Sequence, residues 1–261
     1  MTGFLARLFR GFRARPQPAH TQRDPAPAMP AEPIFPHHRR SDPATTASRR
    51  LPDLPRTVAA LTDASVRPPL MLGVGPDNLL YTKATLADPW VVVPDSGPMI
   101  AATIMPGGTV LGVGADHCLW IRATLSGRWV RLPDSGEMID VTVMQDGTIL
   151  GVGTDNLLWT RPTLAGEWQQ IANSGAVSGV AILPDGMILG AGMDHFLWTR
   201  QGLAGAWTRV PDSGLVTRIA VLRDGTILGV GLDNWTWSRG SLSNNWRKVP
   251  DGGPIIAVAA V

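Results

Sequence analysis

Cysteine is nearly absent from this 261-residue chain: Cys118 stands alone, so no internal disulfide framework can form, and no Cys/His spacing resembles a zinc site. Charge is sparse as well, with Asp, Glu, Lys and Arg making up 17% of residues against the usual quarter. Tyr occurs once and Phe five times, against ten Trp. No apolar run approaches the roughly 18 residues of a membrane-spanning helix. What is abundant is Gly (29) and Pro (23), in a chain that is 44% hydrophobic. That mix argues against a helical bundle and suits many short strands, joined by tight turns, around a sizeable core.

The charge is unevenly placed. Residues 1–56 hold ten Arg and four acidic residues, net +6, whereas 57–261 hold 13 basic and 17 acidic residues, net −4. A basic arm precedes a mildly acidic body. Residues 1–15 read as a basic amphipathic helix: Phe4, Leu5, Leu8, Phe9 and Phe12 recur at helical spacing, with Arg7, Arg10 and Arg13 mostly on the other side. Residues 16–56, rich in Pro, Ala, Arg, Asp and Thr, read as a disordered linker, because this composition buries too little surface to offset its ordering entropy. The arm lacks the continuous apolar core of a secretory signal, which favours a cytoplasmic or peripheral-membrane protein, and its first acidic residue, Asp24, gives it a transit-peptide-like composition. Such an arm fits an anionic membrane surface or a docking site on a protein assembly. Nucleic acid is not an expected partner, since the body has no Lys-rich or aromatic-lined patch.

The body, 57–261, is periodic. Leu-Gly-Val-Gly begins at Leu72, Leu111, Leu150 and Leu228, and Leu-Gly-Ala-Gly at Leu189, so every step is 39 residues. The same step links Trp90, Trp129, Trp168, Trp207 and Trp246, and also Tyr81, Trp120, Trp159, Trp198 and Trp237. One copy reads as four strands, over 139–144, 148–153, 157–161 and 167–171, separated by Gly-, Asp- and Asn-rich turns. No copy has room for a helix. The spacing predicts an all-β, five-bladed β-propeller of 39-residue repeats. The stretch before Val66 matches a first strand poorly, whereas 255–261 matches it well, so the C-terminal strand is predicted to complete the first blade and close the ring.

The repeated pattern DGTILGVGxDNxLWTRxxLxxxWxxVPDSG resembles the tectonin and tachylectin β-propellers, a lectin-like family, over about 67–261, roughly three quarters of the chain. The resemblance implies a five-bladed ring completed by its C-terminal strand and carbohydrate as the ligand. Tachylectin blades carry a longer loop with an Asp-Asn-Trp element that helps build an N-acetylglucosamine site. The matching loops here are short, and only 241–246 (Ser-Leu-Ser-Asn-Asn-Trp) stays near that element.

Several residue sets are candidates for chemistry. Asp77-Asn78, Asp116-His117, Asp155-Asn156, Asp194-His195 and Asp233-Asn234 fall in the turns between second and third strands. The closing turns with Asp95, Asp134, Asn173, Asp212 and Asp251 fall on the same end of the ring. Five matching sets of carboxylates and amides would let a lectin gather weak sugar contacts into avidity. The same residue types are what tight turns use to bond their own backbone. The regular Trp sets read either as inter-blade core or as sugar-stacking faces, and Trp235, present in one copy only, is the better candidate for exposure. The strand Gly pairs read as room for close packing of neighbouring blades. Lys83, Arg122, Arg161, Arg200 and Arg239 read as charges solvated at a strand end or paired with a neighbouring acid. No enzyme is expected: His117, His195 and Cys118 lack an evident activating partner. No metal or cofactor is expected either, the dense Asp-x-Asp spacing of calcium loops being absent. The chain therefore reads as a non-enzymatic, lectin-like carbohydrate-binding propeller, with a protein-interaction scaffold docked through its arm as the alternative.

Overall fold

The computed structural model describes residues 71–260. The helix read over 1–15, the linker read over 16–56 and the domain boundary at 57 lie outside the described residues. Twenty strands form five four-stranded antiparallel sheets. Blade 1 contains β1 (Met71–Val74), β2 (Leu80–Lys83) and β3 (Val91–Val92). Blade 2 is β4 (Met99–Ile104), β5 (Val110–Gly114), β6 (Leu119–Arg122) and β7 (Val130–Arg131). Blade 3 is β8 (Met138–Val143), β9 (Ile149–Gly153), β10 (Leu158–Arg161) and β11 (Gln169–Gln170). Blade 4 is β12 (Val177–Ile182), β13 (Ile188–Gly192), β14 (Leu197–Arg200) and β15 (Trp207–Arg209). Blade 5 is β16 (Val216–Val221), β17 (Ile227–Gly231), β18 (Thr236–Arg239) and β19 (Arg247–Lys248). The last strand, β20 (Ala257–Ala260), returns to blade 1 and pairs antiparallel with β1, Met71 opposite Ala260 and Val74 opposite Ala257.

The innermost strands β20, β4, β8, β12 and β16 touch one another in cyclic order, which makes the molecule a closed five-bladed propeller. The outermost strands are only two or three residues long, so each blade presents little free edge for pairing with another chain. In blade 3 the first three strands fall within about one residue of the boundaries read from the turns. The fourth shrinks to Gln169–Gln170, with Trp168 packed into the junction with blade 2.

The core is not one mass but five clusters, one at each junction between blades. Between blades 2 and 3, for example, Leu111, Leu119 and Ile121 meet Met138, Val141 and Ile149, with Trp168 packed against them. The first glycine of each strand pair makes room for that indole. A Cβ on Gly73, Gly112, Gly151, Gly190 or Gly229 would lie 2.7 to 3.1 Å from the ring of Trp90, Trp129, Trp168, Trp207 or Trp246. The Trp ring thus lies flat on its own blade and fills the space toward the preceding one.

The strand-end cations correct an expectation. Lys83, Arg122, Arg161, Arg200 and Arg239 are not solvated, being 1–3% exposed, and among the described residues none forms an ion pair. Each lies over the Trp of its own blade, 5.1 to 5.8 Å from the ring centroid. Four of them reach across the junction to backbone carbonyls of the preceding blade's closing turn. Lys83 Nζ donates to Pro250 O at 2.6 Å, Arg122 Nη1 to Asp95 O at 3.4 Å, Arg161 Nη2 to Pro133 O at 3.3 Å and Arg200 Nη1 to Asn173 O at 3.1 Å. Burial lowers the proton affinity of all five. These four are staples between blades, and the partners of all five are main-chain oxygens that leave no mark in the sequence.

Candidate functional site

The Asp-Asn and Asp-His turns are built by their own side chains. Each Asp carboxylate accepts the backbone N–H two residues on, that of Leu79, Cys118, Leu157, Phe196 or Trp235, at 3.0 to 3.2 Å. It also accepts the polar hydrogen of the aromatic residue four positions on: Tyr81 Oη at 2.8 Å, and the indole N–H of Trp120, Trp159, Trp198 and Trp237 at 3.1 to 3.3 Å. The residue after each Asp sits at a φ of 56° to 64°, left-handed space in which Asn and His are tolerated better than most side chains. The closing turns do the same with Asp95, Asp134, Asn173, Asp212 and Asp251, at φ of 45° to 52°. Arg131, Arg209 and Lys248 add exposed ion pairs to Asp116, Asp194 and Asp233 at 3.5, 4.0 and 3.6 Å. The predicted residues Asp77, Asn78, Asp116, His117, Asp155, Asn156, Asp194, His195, Asp233 and Asn234 therefore lie one pair per blade around one end. Each carboxylate is engaged by groups of its own blade.

One junction departs from the pattern and gathers predicted residues. Between blades 5 and 1 lies a cavity of about 540 Å³, lined by Asp77, Tyr81 and Trp90 from blade 1 and by Trp235, Asp251 and Pro254 from the other side. Trp235 occupies the place held by Leu79, Cys118, Leu157 and Phe196 in the other copies. Its fit depends on a second departure. Ser96, Ser135, Ser174 and Ser213 are buried, and each Oγ accepts the N–H of Leu80, Leu119, Leu158 or Leu197 at 2.8 to 3.0 Å. In blade 5 the equivalent residue is Gly252, where a Cβ would stand 2.7 Å from Val249 O and 2.8 Å from Trp235 Nε1. The indole takes over one of the serine's bonds, donating to Val249 O at 2.8 Å as Ser213 Oγ donates to Val210 O.

The exchange alters the cavity wall. With no hydroxyl to accept it, the Thr236 N–H donates to the Gly252 carbonyl at 2.8 Å. In the closing turns of blades 1, 3 and 4 the equivalent carbonyls, Ser96 O, Ser174 O and Ser213 O, accept from the Trp129, Trp207 and Trp246 indole N–H groups of the next blade. Trp90 Nε1 has no partner. Trp168 Nε1 shares that lack but does not line this cavity. The wall thus offers aromatic surface from Tyr81, Trp90 and Trp235 and the exposed carboxylates of Asp77 and Asp251, while the unpaired Trp90 N–H is buried behind it. The Tyr81 hydroxyl, with help from the Leu79 N–H, holds the Asp77 carboxyl below the usual carboxylate range. Lys248 Nζ stands 4.3 Å from the Trp235 ring centroid and fixes the indole from one side. Apolar ring faces beside carboxylate acceptors can take a polyhydroxylated ring, whose C–H face lies on indole while its hydroxyls donate to Asp77 and Asp251. The sequence singled out Trp235 and Asp77 but missed Gly252, whose signal is the change from Pro-Asp-Ser-Gly to Pro-Asp-Gly-Gly in the same copy that gains Trp235.

No family model matches the chain, and no curated protein matches it. Solved structures do. A symmetrical protein, from work on the de novo evolutionary emergence of symmetry under folding constraints, is 13% identical, with a TM-score of 0.58 over 74% of this chain and 98% of its own. A gluconolactonase from Xanthomonas campestris is 12% identical, with a TM-score of 0.51 over 70% of this chain and 77% of its own. At such identities the likeness is one of fold: the chain is a five-bladed β-propeller that resembles these proteins in architecture.

Proposed function

We propose that this propeller is a non-enzymatic, lectin-like carbohydrate-binding protein whose principal site is the cavity between blades 5 and 1. The observation that carries the reading is the linked pair of departures at that junction, Trp235 and Gly252, which places a further indole beside Tyr81, Trp90 and the carboxylates of Asp77 and Asp251. The resemblance of the repeat to the tectonin and tachylectin propellers supports the same ligand class. On this reading the basic N-terminal arm tethers the ring to an anionic membrane surface or a protein assembly. A protein-docking reading has one observation in its favour: Met193, Leu215 and Leu232 are 46–55% exposed on the end of the ring that carries the predicted polar turns.

A glycan array with the full chain tests the proposal. Binding should be retained in Asp155→Ala and fall about tenfold or more in Trp235→Ala, since losing an aromatic stacking face costs on the order of 1.5 kcal/mol. Circular dichroism establishes that both variants are folded. A folded native chain that binds no glycan, or a Trp235→Ala variant that binds as well as native, would reject the site, and a pull-down would then test the docking reading.

A further inference from the structure

A second opening lies between blades 4 and 5, a groove of about 810 Å³ flanked by the turn joining β12 to β13 and by the loop joining β18 to β19. Its walls include Asp185, Pro211 and Asp212 from blade 4 and Arg239, Asn244 and Asn245 from blade 5. It shares no residue with the cavity between blades 5 and 1.

Arg239 is what sets this junction apart. At the other four junctions the strand-end cation crosses to carbonyls of the preceding closing turn. Arg239 does not cross. Its Nε donates to Ser241 O at 2.9 Å and its Nη2 to Leu242 O, both within its own blade. Its Nη1 is buried and without a partner, on a side chain in a residue only 3% exposed. Pro211 and Asp212, in the closing turn equivalent to those that the other cations bond, line the groove together with Arg239. Arg122, Arg161 and Arg200 also leave one nitrogen unpaired, but they line neither this groove nor the cavity between blades 5 and 1.

We propose that this groove binds a small hydroxylated carboxylate, a sugar acid, with the Arg239 guanidinium as its counter-charge. A buried cation without a counter-charge has lost its hydration and gained no ion pair, so an anion delivered to it forms a charge-assisted bond about twice as strong as a neutral one. One uncompensated positive charge calls for one negative charge. Arg209 also lines the wall, but it is engaged by the Asp194 carboxylate at 4.0 Å and by the Phe196 ring at 3.8 Å. Asp185 and Asp212 in the same wall repel a dianion, which favours a carboxylate over a phosphate. Asn245 and Ser243 carry exposed donors and acceptors for hydroxyl groups. Asn244 accepts from Ser241 Oγ at 2.7 Å through its Oδ1, which turns its amide NH₂ away from that bond. This site is independent of the carbohydrate reading made for the other cavity.

The test is titration of the full chain with sodium glucuronate at low ionic strength, followed by calorimetry, with glucose and inorganic phosphate in parallel. Glucuronate should bind saturably, and glucose and phosphate at least tenfold more weakly. Arg239→Lys should weaken glucuronate binding at least tenfold while keeping the fold, because Lys is native at the equivalent position 83 and there bonds the closing turn. Asn245→Ala, an exposed change that leaves the guanidinium in place, should weaken it several-fold, which keeps the proposal testable if the Arg239 variant fails to fold. Trp235→Ala should leave glucuronate binding unchanged. Equal binding of glucose and glucuronate, phosphate binding as tight as glucuronate, no saturable binding to the folded chain, or loss of glucuronate binding on Trp235→Ala would overturn the proposal.

Discussion

Asp140 makes the stability of this ring depend on pH in a window where few carboxylates titrate. It lies on β8, facing the centre of the propeller, at the position that Ala101, Gly179, Arg218 and Ala257 occupy in the other inner strands. Its carboxylate accepts the Val141 and Val180 N–H groups, both at 3.0 Å. The nearby charge is Arg218, and the two side chains meet over Gly179, where a Cβ would lie 3.2 Å from Asp140 Oδ2 and from Arg218 Cα. Burial outweighs Arg218 and the two N–H groups and raises the carboxyl from 3.8 to about 6. A folded-state value above the unfolded one means that the protonated form favours folding. The stabilisation is therefore complete below pH 4 and is lost as pH rises through 6, on the order of 3 kcal/mol in full and about 2 kcal/mol of it between pH 4.5 and 7.5. Asp77, Asp116 and Asp233 are held below 3.8, so their contributions fade only below pH 4 and do not overlap this window. Urea unfolding of the native chain and of Asp140→Ala at four pH values from 4.5 to 7.5 reads the effect. Ala is native at the equivalent positions 101 and 257, so the variant should fold, and its stability relative to native should rise by about 2 kcal/mol across the range. Parallel stability curves for the two proteins would refute the reasoning, as would an Arg218→Met variant whose transition did not move above pH 6.

The remaining predictions concern the junctions. Arg161→Ala should cost about 3 kcal/mol in urea unfolding, through a cavity against Trp168 and the lost bonds to Pro133 O and Asp134 O, whereas Arg161→Lys should cost only about 1 kcal/mol because Lys83 performs the same task between blades 5 and 1. Gly252→Ser alone should destabilise by about 1–3 kcal/mol through collision with Trp235 and the Val249 carbonyl that it bonds. Paired with Trp235→Leu, it restores the arrangement of blade 3 and should recover native stability or better while abolishing glycan binding, a coupling of about 2 kcal/mol readable in a double-mutant cycle.

The ring was legible in the sequence because a propeller repeats its constraints. A single 39-residue step recurs in the Gly pairs, both aromatic sets and the turn residues, and the fit of 255–261 to the missing first strand foretold the pairing of β20 with β1. The cations were misread for a physical reason. A charged residue at a strand end usually meets water, and here it meets main-chain carbonyls 27 or 28 residues earlier, which every residue possesses. The polar turns were ambiguous for another. Asp and Asn serve a tight turn and a sugar with the same atoms, so only the bonds from Leu157 N and Trp159 Nε1 show where the Asp155 carboxylate is engaged.

Where the copies agree, the residues answer to packing, because each of the five junctions poses the same steric problem. A residue that breaks the repeat is free of that explanation and needs one of its own. Trp235 with Gly252 opens one junction, and Arg239, with its own loop in place of the neighbouring turn, opens another. Asp140 and Arg218 break the pattern at the axis, where Ala or Gly would have sufficed. Each of these departures gives up something the regular copies retain: the buried serine hydroxyl at Gly252, the bond across the junction at Arg239, and an uncharged inner strand at Asp140. The double variant Trp235→Leu with Gly252→Ser measures that cost at the one junction where binding can be read in the same protein: stability gained and binding lost together would show that the asymmetry is kept for the ligand and not for the fold.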